Sequence, residues 1–532
     1  MVRDGMIWIG NNEYGEPLSL LPKMANRHGL VAGATGTGKT VTLKVMAESF
    51  SAMGVPVFMA DVKGDIASIM APGKDSEDMQ ARIERFGLAE HGFTYQGFPV
   101  TLWDIYGTKG IQLRSTVSEI GPLLMSRILD LNDLQRDILS IVYKIADDKN
   151  LLLTDTKDLK SMLNYVNEHA AEFAADYGRV SSASVGAIMR ALVALETEGG
   201  DVFFGEPALN VSDWLTLGEG GKGMINILDS ESLINNGRLY STFLLWLLAE
   251  LFEVLPEVGD QAKPKMVFFF DEAHLLFKGA TKTLLDKIEQ MVKLIRSKGV
   301  GVYFCTQNPK DVPDSVLAQL GNKIQHGLRA YTPADQRAVK SAADSFRANP
   351  AFDTYDTILN LGTGEAVVSF LDEKGIPTVC EKAFILPPES RFGSITDEER
   401  DSAIKSSLCY SKYATAVDPE SAYEILQRLG LEELEAKEQA EAEKLEAKEQ
   451  AAAEREAQKA AEKEAREKER EAQKAANARK QAAKSVGSTV VGTVGREVGK
   501  SIFGKFGSFG KLLGGNLGAS LGRNLLGILF KK

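Results

Sequence analysis

Gly33-Ala-Thr-Gly-Thr-Gly-Lys39-Thr40 is the stretch that decides the fold, because it has the GxxxxGK[ST] pattern of a phosphate-binding loop. The apolar segment His28–Val31 precedes it, and a helical pattern over Thr40–Ala52 follows it. Glycines let the backbone wrap around phosphate groups, and the following helix adds the positive end of its dipole. The stretch therefore predicts a Walker A loop, which binds a nucleoside triphosphate, at the end of a buried strand.

Individual residues of this loop are expected to have different roles in binding ATP. Lys39 is expected to reach the β- and γ-phosphates, and the Thr40 hydroxyl is expected to coordinate Mg²⁺. ATP and Mg²⁺ are therefore the predicted cofactors. The predicted nucleotide-binding residues are Gly33, Ala34, Thr35, Gly36, Thr37, Gly38, Lys39, Thr40 and Val41.

A second apolar strand, Met266–Phe270, leads directly into Asp271 and Glu272. The Mg²⁺ ligand of such sites lies at the carboxyl end of a strand beside the phosphate loop, so Asp271 is the predicted metal ligand together with Thr40. Glu272 is the predicted general base, which polarises the attacking water. His274 has two interpretations, a packed histidine or a residue that couples the site to its surroundings.

Polar residues end two further strands. Gln307 follows the strand Val302–Thr306, and we expect it to sense the γ-phosphate and orient water as a catalytic residue. The segment Asp61-Val-Lys63-Gly-Asp65 ends the strand after the first helix. Its acids are interpreted either as groups at the edge of the site or as a helix-capping turn.

An arginine from a neighbouring subunit usually stabilises transition-state charge in multimeric P-loop motors. Arg296, at the end of the helix before the Gln307 strand, is the first candidate for this catalytic role. Arg329 and Arg337 follow the next strand and compete with it.

Strands that alternate with helices predict an α/β fold with a parallel, doubly wound sheet. Between about residues 116 and 215 the pattern becomes helical, which indicates a helical insert. The predicted divisions are a first part of the ATPase core (1–115), the insert (116–215), a second part of the core (216–390), an extension (391–431), a charged helix (432–484) and a tail (485–532).

The last hundred residues change composition twice. Residues 432–484 are almost entirely Ala, Glu, Lys, Gln and Arg, with no apolar seam for a stable coiled coil, so a charged helical spacer is expected. Residues 485–532 are rich in Gly and apolar residues and carry a charge of about +6. This tail is interpreted either as a flexible or self-associating segment, or as an anchor to a membrane surface or a protein partner.

Charge and cysteine content limit the function classes. The net charge of −11 argues against a surface that is basic everywhere, although an acidic protein can still line one channel with Lys and Arg. Only three cysteines occur and no two are close in sequence, which excludes a CxxC motif or a disulfide framework. With no visible secretory signal, a cytoplasmic location is expected.

These motifs and their order resemble the HerA-like branch of P-loop ATPases, which also includes FtsK-type and VirB4-type DNA motors. The resemblance rests on GATGTGKT, the Asp61–Asp65 strand end, the segment FFFDEAH and the segment Lys298–Gln307. Leu361-Gly-Thr-Gly-Glu365 also looks like the family's late strand pair, and the chain as a whole is similar to the YjgR-type bacterial group. The resemblance implies a RecA-like core assembled as a ring, commonly a hexamer, with ATP bound between subunits.

Two functions follow as hypotheses. The first is a Mg²⁺-dependent ring ATPase that moves along DNA as a translocase or helicase-type motor. The second is an ATP-dependent scaffold or protein-remodelling ATPase whose C-terminal tail anchors it to a membrane surface or a partner.

Overall fold

A large β-sheet forms the centre of the computed structural model, which describes residues 1–259, 261–278, 280 and 282–482. In the described residues its strands are β1 (Val2–Arg3), β2 (Met6–Asn11), β3 (Pro17–Leu20), β4 (Gly29–Ala32), β5 (Val57–Asp61), β6 (Val100–Asp104), β7 (Ile111–Gln112), β8 (Ile225–Asp229), β9 (Met266–Phe270), β10 (Val300–Thr306), β11 (Asn322–His326), β12 (Glu365–Ser369) and β13 (Glu381–Ile385).

The strand order is β1-β2-β13-β12-β11-β4-β10-β9-β5-β8-β6-β7, with β3 paired to β2. From β11 to β7 every neighbouring pair is parallel, whereas β12, β13 and the first three strands extend the sheet in antiparallel fashion. Parallel strands bring their carboxyl ends to one edge, which is where ligands bind in such sheets.

Helices connect the strands and cover both faces of the sheet. They are α1 (Lys39–Ala52), α2 (Glu77–Phe86), α3 (Val117–Ile128), α4 (Asp133–Asp148), α5 (Thr156–Glu168), α6 (Ala170–Tyr177), α7 (Ser182–Thr197), α8 (Gly237–Val254), α9 (His274–Phe277), α10 (Lys282–Ile295), α11 (Asp314–Leu317), α12 (Pro333–Asp344), α13 (Thr354–Asn360), α14 (Asp397–Ser406), α15 (Tyr410–Tyr413) and α16 (Ala422–Ala482). Taken singly, none of the described helices has the length and apolar character of a membrane span; the bent pair α6 and α7 reaches that threshold together, by length and composition only.

Strand β9 shows why the central strands are apolar without alternation. Phe268 and Phe270 pack into the hydrophobic core that includes α8 and α10, whereas Val267 and Phe269 pack into the core on the α1 side. Successive side chains of a strand point to opposite faces, so a strand covered on both sides needs apolar residues at every position. The predicted α/β fold with a doubly wound, mostly parallel sheet is confirmed.

The antiparallel extension is the main feature that the sequence analysis did not predict. Strand β2 is buried almost throughout, and β13 pairs with it through Phe384 and Ile385. Residues 1–20 are thereby joined to a strand more than 360 residues later in the chain. Only tertiary pairing makes these short segments strands, so a local pattern could not identify them.

The chain divides into two units, Met1–Leu426 and Gln427–Lys532. In the described part of the second unit the chain continues as helix α16, and its side chains are exposed from residue 427 to residue 474. Ion pairs at i,i+4 spacing, such as Lys468–Glu464 at 2.7 Å, occur along it. The helix begins at Ala422, ten residues before the predicted start. The predicted Gly-rich tail lies outside the described residues.

A buried histidine at the amino end of β4 makes the stability of the first unit sensitive to acid. His28 Nε2 lies 2.7 Å from Val292 O, and its Nδ1 accepts a hydrogen bond of 3.0 Å from Val302 N. Burial lowers the pKa of His28 from 6.5 to about 4. Because Nδ1 must stay unprotonated to accept this bond, the folded state holds His28 neutral while the unfolded state takes up a proton below pH 6.5.

We therefore expect the free energy of unfolding to decrease by about 2 kcal/mol for His28 alone as the pH falls from 6.5 to 5. Urea unfolding at several pH values measures this change. His28→Asn retains an oxygen that can accept from Val302 N but cannot titrate, so its unfolding free energy should depend less on pH. An unchanged pH dependence in His28→Asn would contradict this account.

Candidate ATPase site

The phosphate loop connects the carboxyl end of β4 to the start of α1. Gly33, Gly36 and Gly38 all have positive φ angles (155°, 79° and 112°), which residues with a Cβ atom rarely adopt. A Cβ on Gly33 would lie 2.5 Å from His326 Cβ, so this position also lacks space for a side chain. Gly33 N donates to Thr306 O at 3.2 Å and thereby fixes the loop to the end of β10.

Lys39 stands at the first position of α1. Its Nζ donates to Gly33 O and, at 3.2 Å, to Ala34 O, so the ammonium group lies against its own loop. Burial lowers the pKa of Lys39, and the positive charge of Lys63 lowers it further. The first N–H groups of a helix have no partner within it, and here they lie beside a lysine. The loop therefore has the donors and the charge that a phosphate chain requires.

Asp271 and Glu272 follow β9 at the same edge of the sheet. Strand β10 lies between β4 and β9, so the two acids are two strands away from the phosphate loop. Asp271 Oδ1 accepts a hydrogen bond of 2.9 Å from Glu272 N. Burial, and next the charge of Glu272, raise the pKa of Asp271 to about 6.

Glu272 is the centre of a small polar cluster. Its Oε1 accepts a hydrogen bond of 3.1 Å from Gln307 Nε2, and its Oε2 lies 3.1 Å from His274 Nδ1 without hydrogen-bond geometry. The residue is buried and has a φ of 47°, an unusual angle for a residue other than glycine. Strained backbone of this kind is concentrated at functional sites, where surrounding contacts maintain it. The structure thus brings together Glu272 and Gln307, which follow two different strands, β9 and β10.

The residues present fit a magnesium ion. Asp271 is partly buried, and none of the described side chains donates a hydrogen bond to its carboxylate. Mg²⁺ prefers oxygen ligands and is usually held by one or two carboxylates together with phosphate oxygens and water. The carboxylate of Asp271 and the hydroxyl of Thr40 supply this kind of donor. Among the described residues, no group of three or more acidic, His or Cys side chains could hold a metal ion by itself.

The three candidate arginines lie at different edges of the sheet. Arg296 is in the turn between α10 and β10, at the amino ends of the strands. The seven residues of β10 separate it from the phosphate-loop edge by roughly 20 Å. Arg296 is therefore too distant to act on a nucleotide in its own subunit. Arg329 and Arg337 follow the carboxyl end of β11, on the same side as the phosphate loop.

A cavity of about 690 Å³ lies beside the phosphate loop. Gly38 and Val41 form part of its wall, and it has the size of a small-molecule site. Its other charged, hydroxyl or aromatic lining residues include Lys74, Asp75, Ser76, Asp78, Arg82, Thr363, Arg391, Phe392, Ser394 and Thr396. Apart from Gly38 and Val41, none of these residues is predicted as a site residue from the sequence, since α2 and the later segments reach the loop only in the folded chain.

Two buried charges on α1 hold one wall of this cavity. We call residues 387–396 the strap. Lys44 Nζ donates to Arg391 O and to Ser68 Oγ, the latter at 2.8 Å. Glu48 accepts hydrogen bonds from Glu389 N and Ser390 N at 2.9 and 3.1 Å. The strap is thus attached to the helix that begins at the phosphate loop.

Comparison with known proteins identifies related chains. The sequence model of the family described as "Helicase HerA-like C-terminal" matches residues 7–511. The DNA double-strand break repair helicase HerA of Sulfurisphaera tokodaii is 23% identical over 354 residues, which cover 64% of this chain and 62% of that protein. The chain thus spans about three fifths of the length of this relative.

Two solved structures show a more distant likeness. The plasmid coupling protein TrwB in complex with ADP and Mg²⁺ is 16% identical, with a TM-score of 0.47 over 73% of this chain and 90% of that chain. VirB4 of Thermoanaerobacter pseudethanolicus is 18% identical, with a TM-score of 0.44 over 72% of this chain and 97% of that chain. The family assignment rests on the sequence match and not on these two structures.

Proposed function

Because this chain belongs to the HerA-like family of P-loop ATPases, we propose that it hydrolyses ATP with Mg²⁺ as a ring-shaped motor that moves along DNA. The contact of Glu272 with Gln307 beside the phosphate loop carries the proposal for hydrolysis. It provides a base and a polar partner for a water molecule at the edge where the phosphates would lie. A protein that only bound nucleotide would have no need of a strained, buried glutamate there.

The proposed reaction divides among the residues of this edge. The loop amides and Lys39 would bind the phosphate chain, and Asp271 and Thr40 would hold Mg²⁺, which when bound neutralises phosphate charge. Glu272 would take a proton from the attacking water while Gln307 orients that water. The cavity beside Gly38 and Val41 would receive the nucleoside. A nucleotide with its phosphates in the loop would extend past these two residues.

Ring assembly with an arginine from the neighbouring subunit remains part of the proposal. The position of Arg296 at the opposite edge of the sheet supports a role between subunits, because an arginine there can meet a nucleotide only on another copy of the chain. Arg329 and Arg337 remain alternatives. The proposal of a hexamer rests on the family assignment. The proposal of a cytoplasmic location rests on the three free cysteines.

ATPase activity of the purified chain, measured without DNA, with single-stranded DNA and with duplex DNA, tests the function. We expect Mg²⁺-dependent hydrolysis that DNA stimulates, and stimulation that weakens steeply between about 50 and 200 mM salt, because phosphate contacts release counterions. Native mass measurement in the same buffers tests the ring. Hydrolysis without any DNA effect at low salt would contradict the DNA-motor function and leave the ATPase assignment intact.

The scaffold hypothesis is not favoured, since the family match is to helicase-like proteins. An anchoring role of the tail stays a prediction. Removal of residues 432–532 separates it from motor function: ATP turnover and assembly should persist, while any association with membranes or partners should be lost.

A further inference from the structure

Lys63 lies in a turn that a buried aspartate holds in place. Asp61, the last residue of β5, accepts hydrogen bonds at Oδ1 from Gly64 N (2.8 Å) and at Oδ2 from Ile66 N and Ala67 N (3.0 and 3.2 Å). With Lys63 N, which donates to Oδ1 at 3.3 Å, four backbone N–H groups are thus bound to one carboxylate. These bonds account for Asp61 as the residue that holds the turn, and they leave the side chain of Lys63 unexplained.

The turn is next to the predicted Mg²⁺ ligand. Strand β5 is parallel to β9, and Met59 is paired with Phe269, so Asp61 stands level with Asp271 two residues further on. Lys63 is two residues after Asp61, just past the carboxyl end of β5. Its charge lowers the pKa of both Lys39 and Asp271, and its effect on Asp271 is larger than that of Lys39. Because β5 lies next to β9 in the sheet, the side chain of Lys63 starts at the same edge as Asp271.

The Lys63 side chain is exposed, and within the described part of the chain its ammonium group makes no hydrogen bond or ion pair. The carboxylate of Asp61, two residues before Lys63, already accepts hydrogen bonds from backbone amides. A lysine has a flexible four-carbon stem and acts as a compact point charge. Lys63 thus combines a fixed backbone, a flexible side chain and an unpaired positive charge. These properties suit a group that binds an anionic ligand.

We infer that Lys63 is a further catalytic residue, a second cation of the same chain that contacts the terminal phosphoryl group of the nucleotide. This inference rests on the proposed ATPase function. As water attacks the γ-phosphorus, the bond to the ADP oxygen breaks and the proton of the water passes to Glu272. The positive charge of Lys63 stabilises the negative charge on the phosphoryl oxygens, and this stabilisation is strongest while the phosphoryl group is being transferred.

The test compares Lys63→Ala and Lys63→Arg with Lys310→Ala in the full chain. Lys310 is a matched control, since it is an exposed lysine in the turn after β10 at the same edge of the sheet. For Lys63→Ala we expect kcat to fall about 100-fold, with KM for ATP and Kd for ADP changed less than about 3-fold. Lys63→Arg should recover part of kcat, and Lys310→Ala should match the wild type.

Trapping of ADP with aluminium fluoride, which mimics the phosphoryl group in transfer, gives a readout independent of turnover. Wild-type protein should retain the trapped complex, and Lys63→Ala should lose it while still binding ADP. Normal kcat and normal trapping in Lys63→Ala would overturn the inference, as would an equal loss of ADP binding, which would indicate a role in the turn alone. A wild-type chain that fails to hydrolyse ATP would instead overturn the proposed function.

Discussion

Replacement of Glu272 by Gln is expected to lower kcat for ATP hydrolysis by about 100- to 10,000-fold, the range over which positioned general bases act. The amide keeps the shape of the side chain and can still contact Gln307, but it cannot accept a proton from water. Binding of ATP should stay within a few-fold of the wild type, because the substitution leaves the phosphate loop and Asp271 unchanged. Single-turnover hydrolysis and equilibrium binding of ATP measure the two effects separately.

Glu231→Gln is the control for this substitution. Glu231 follows β8 at the same edge, is exposed and pairs with Lys109, and β8 lies four strands from β4. Its replacement should leave turnover unchanged. Normal turnover in Glu272→Gln would remove Glu272 from the catalytic role and would leave the strained φ of this residue without a functional explanation.

Lys39→Ala should weaken ATP binding about 10- to 100-fold and reduce hydrolysis further. The ammonium group can form charge-assisted hydrogen bonds to phosphate, each worth about 1.5–3 kcal/mol. The lost contacts to Gly33 O and Ala34 O also release the loop, although the glycine conformations remain. Titration with a fluorescent ATP analogue measures the affinity, and thermal unfolding confirms that the variant is folded.

Lys310→Ala is again the matched control, and its affinity for ATP should equal that of the wild type. Equal affinity in Lys39→Ala would show that the loop binds phosphate through its backbone alone. Weakened binding together with unchanged single-turnover hydrolysis would assign Lys39 to binding and not to catalysis.

The part of the fold that could be predicted is the part that local chain chemistry determines. The loop from Gly33 to Thr40 needs its glycines, and β9 needs an apolar side chain at each position because it is covered on both faces. These constraints act within ten residues, so they are visible in the sequence. The family resemblance and the α/β class, which follow from them, are confirmed.

The remainder depends on contacts between distant segments. The antiparallel strands β1–β3 and β13 are short, and pairing across the chain defines them. The strap and α2 reach the phosphate loop only after folding, so no periodicity identifies Arg82 or Phe392 as cavity residues. The sequence places Arg296 before the strand that ends at Gln307, but only the fold shows that this position is at the amino-end edge of the sheet.

The attachment of the strap to α1 has a mechanical consequence. Lys44 and Glu48 are one helical turn apart, and Glu48 binds a residue 341 positions later in the sequence. Helix α1 therefore connects the phosphate loop, which lies at its start, to the cavity wall, which is attached to its side. Any tilt of α1 would move the phosphate loop and the cavity wall together. A displacement of the phosphate loop would thus be transmitted to the cavity wall through α1 itself, without a separate hinge.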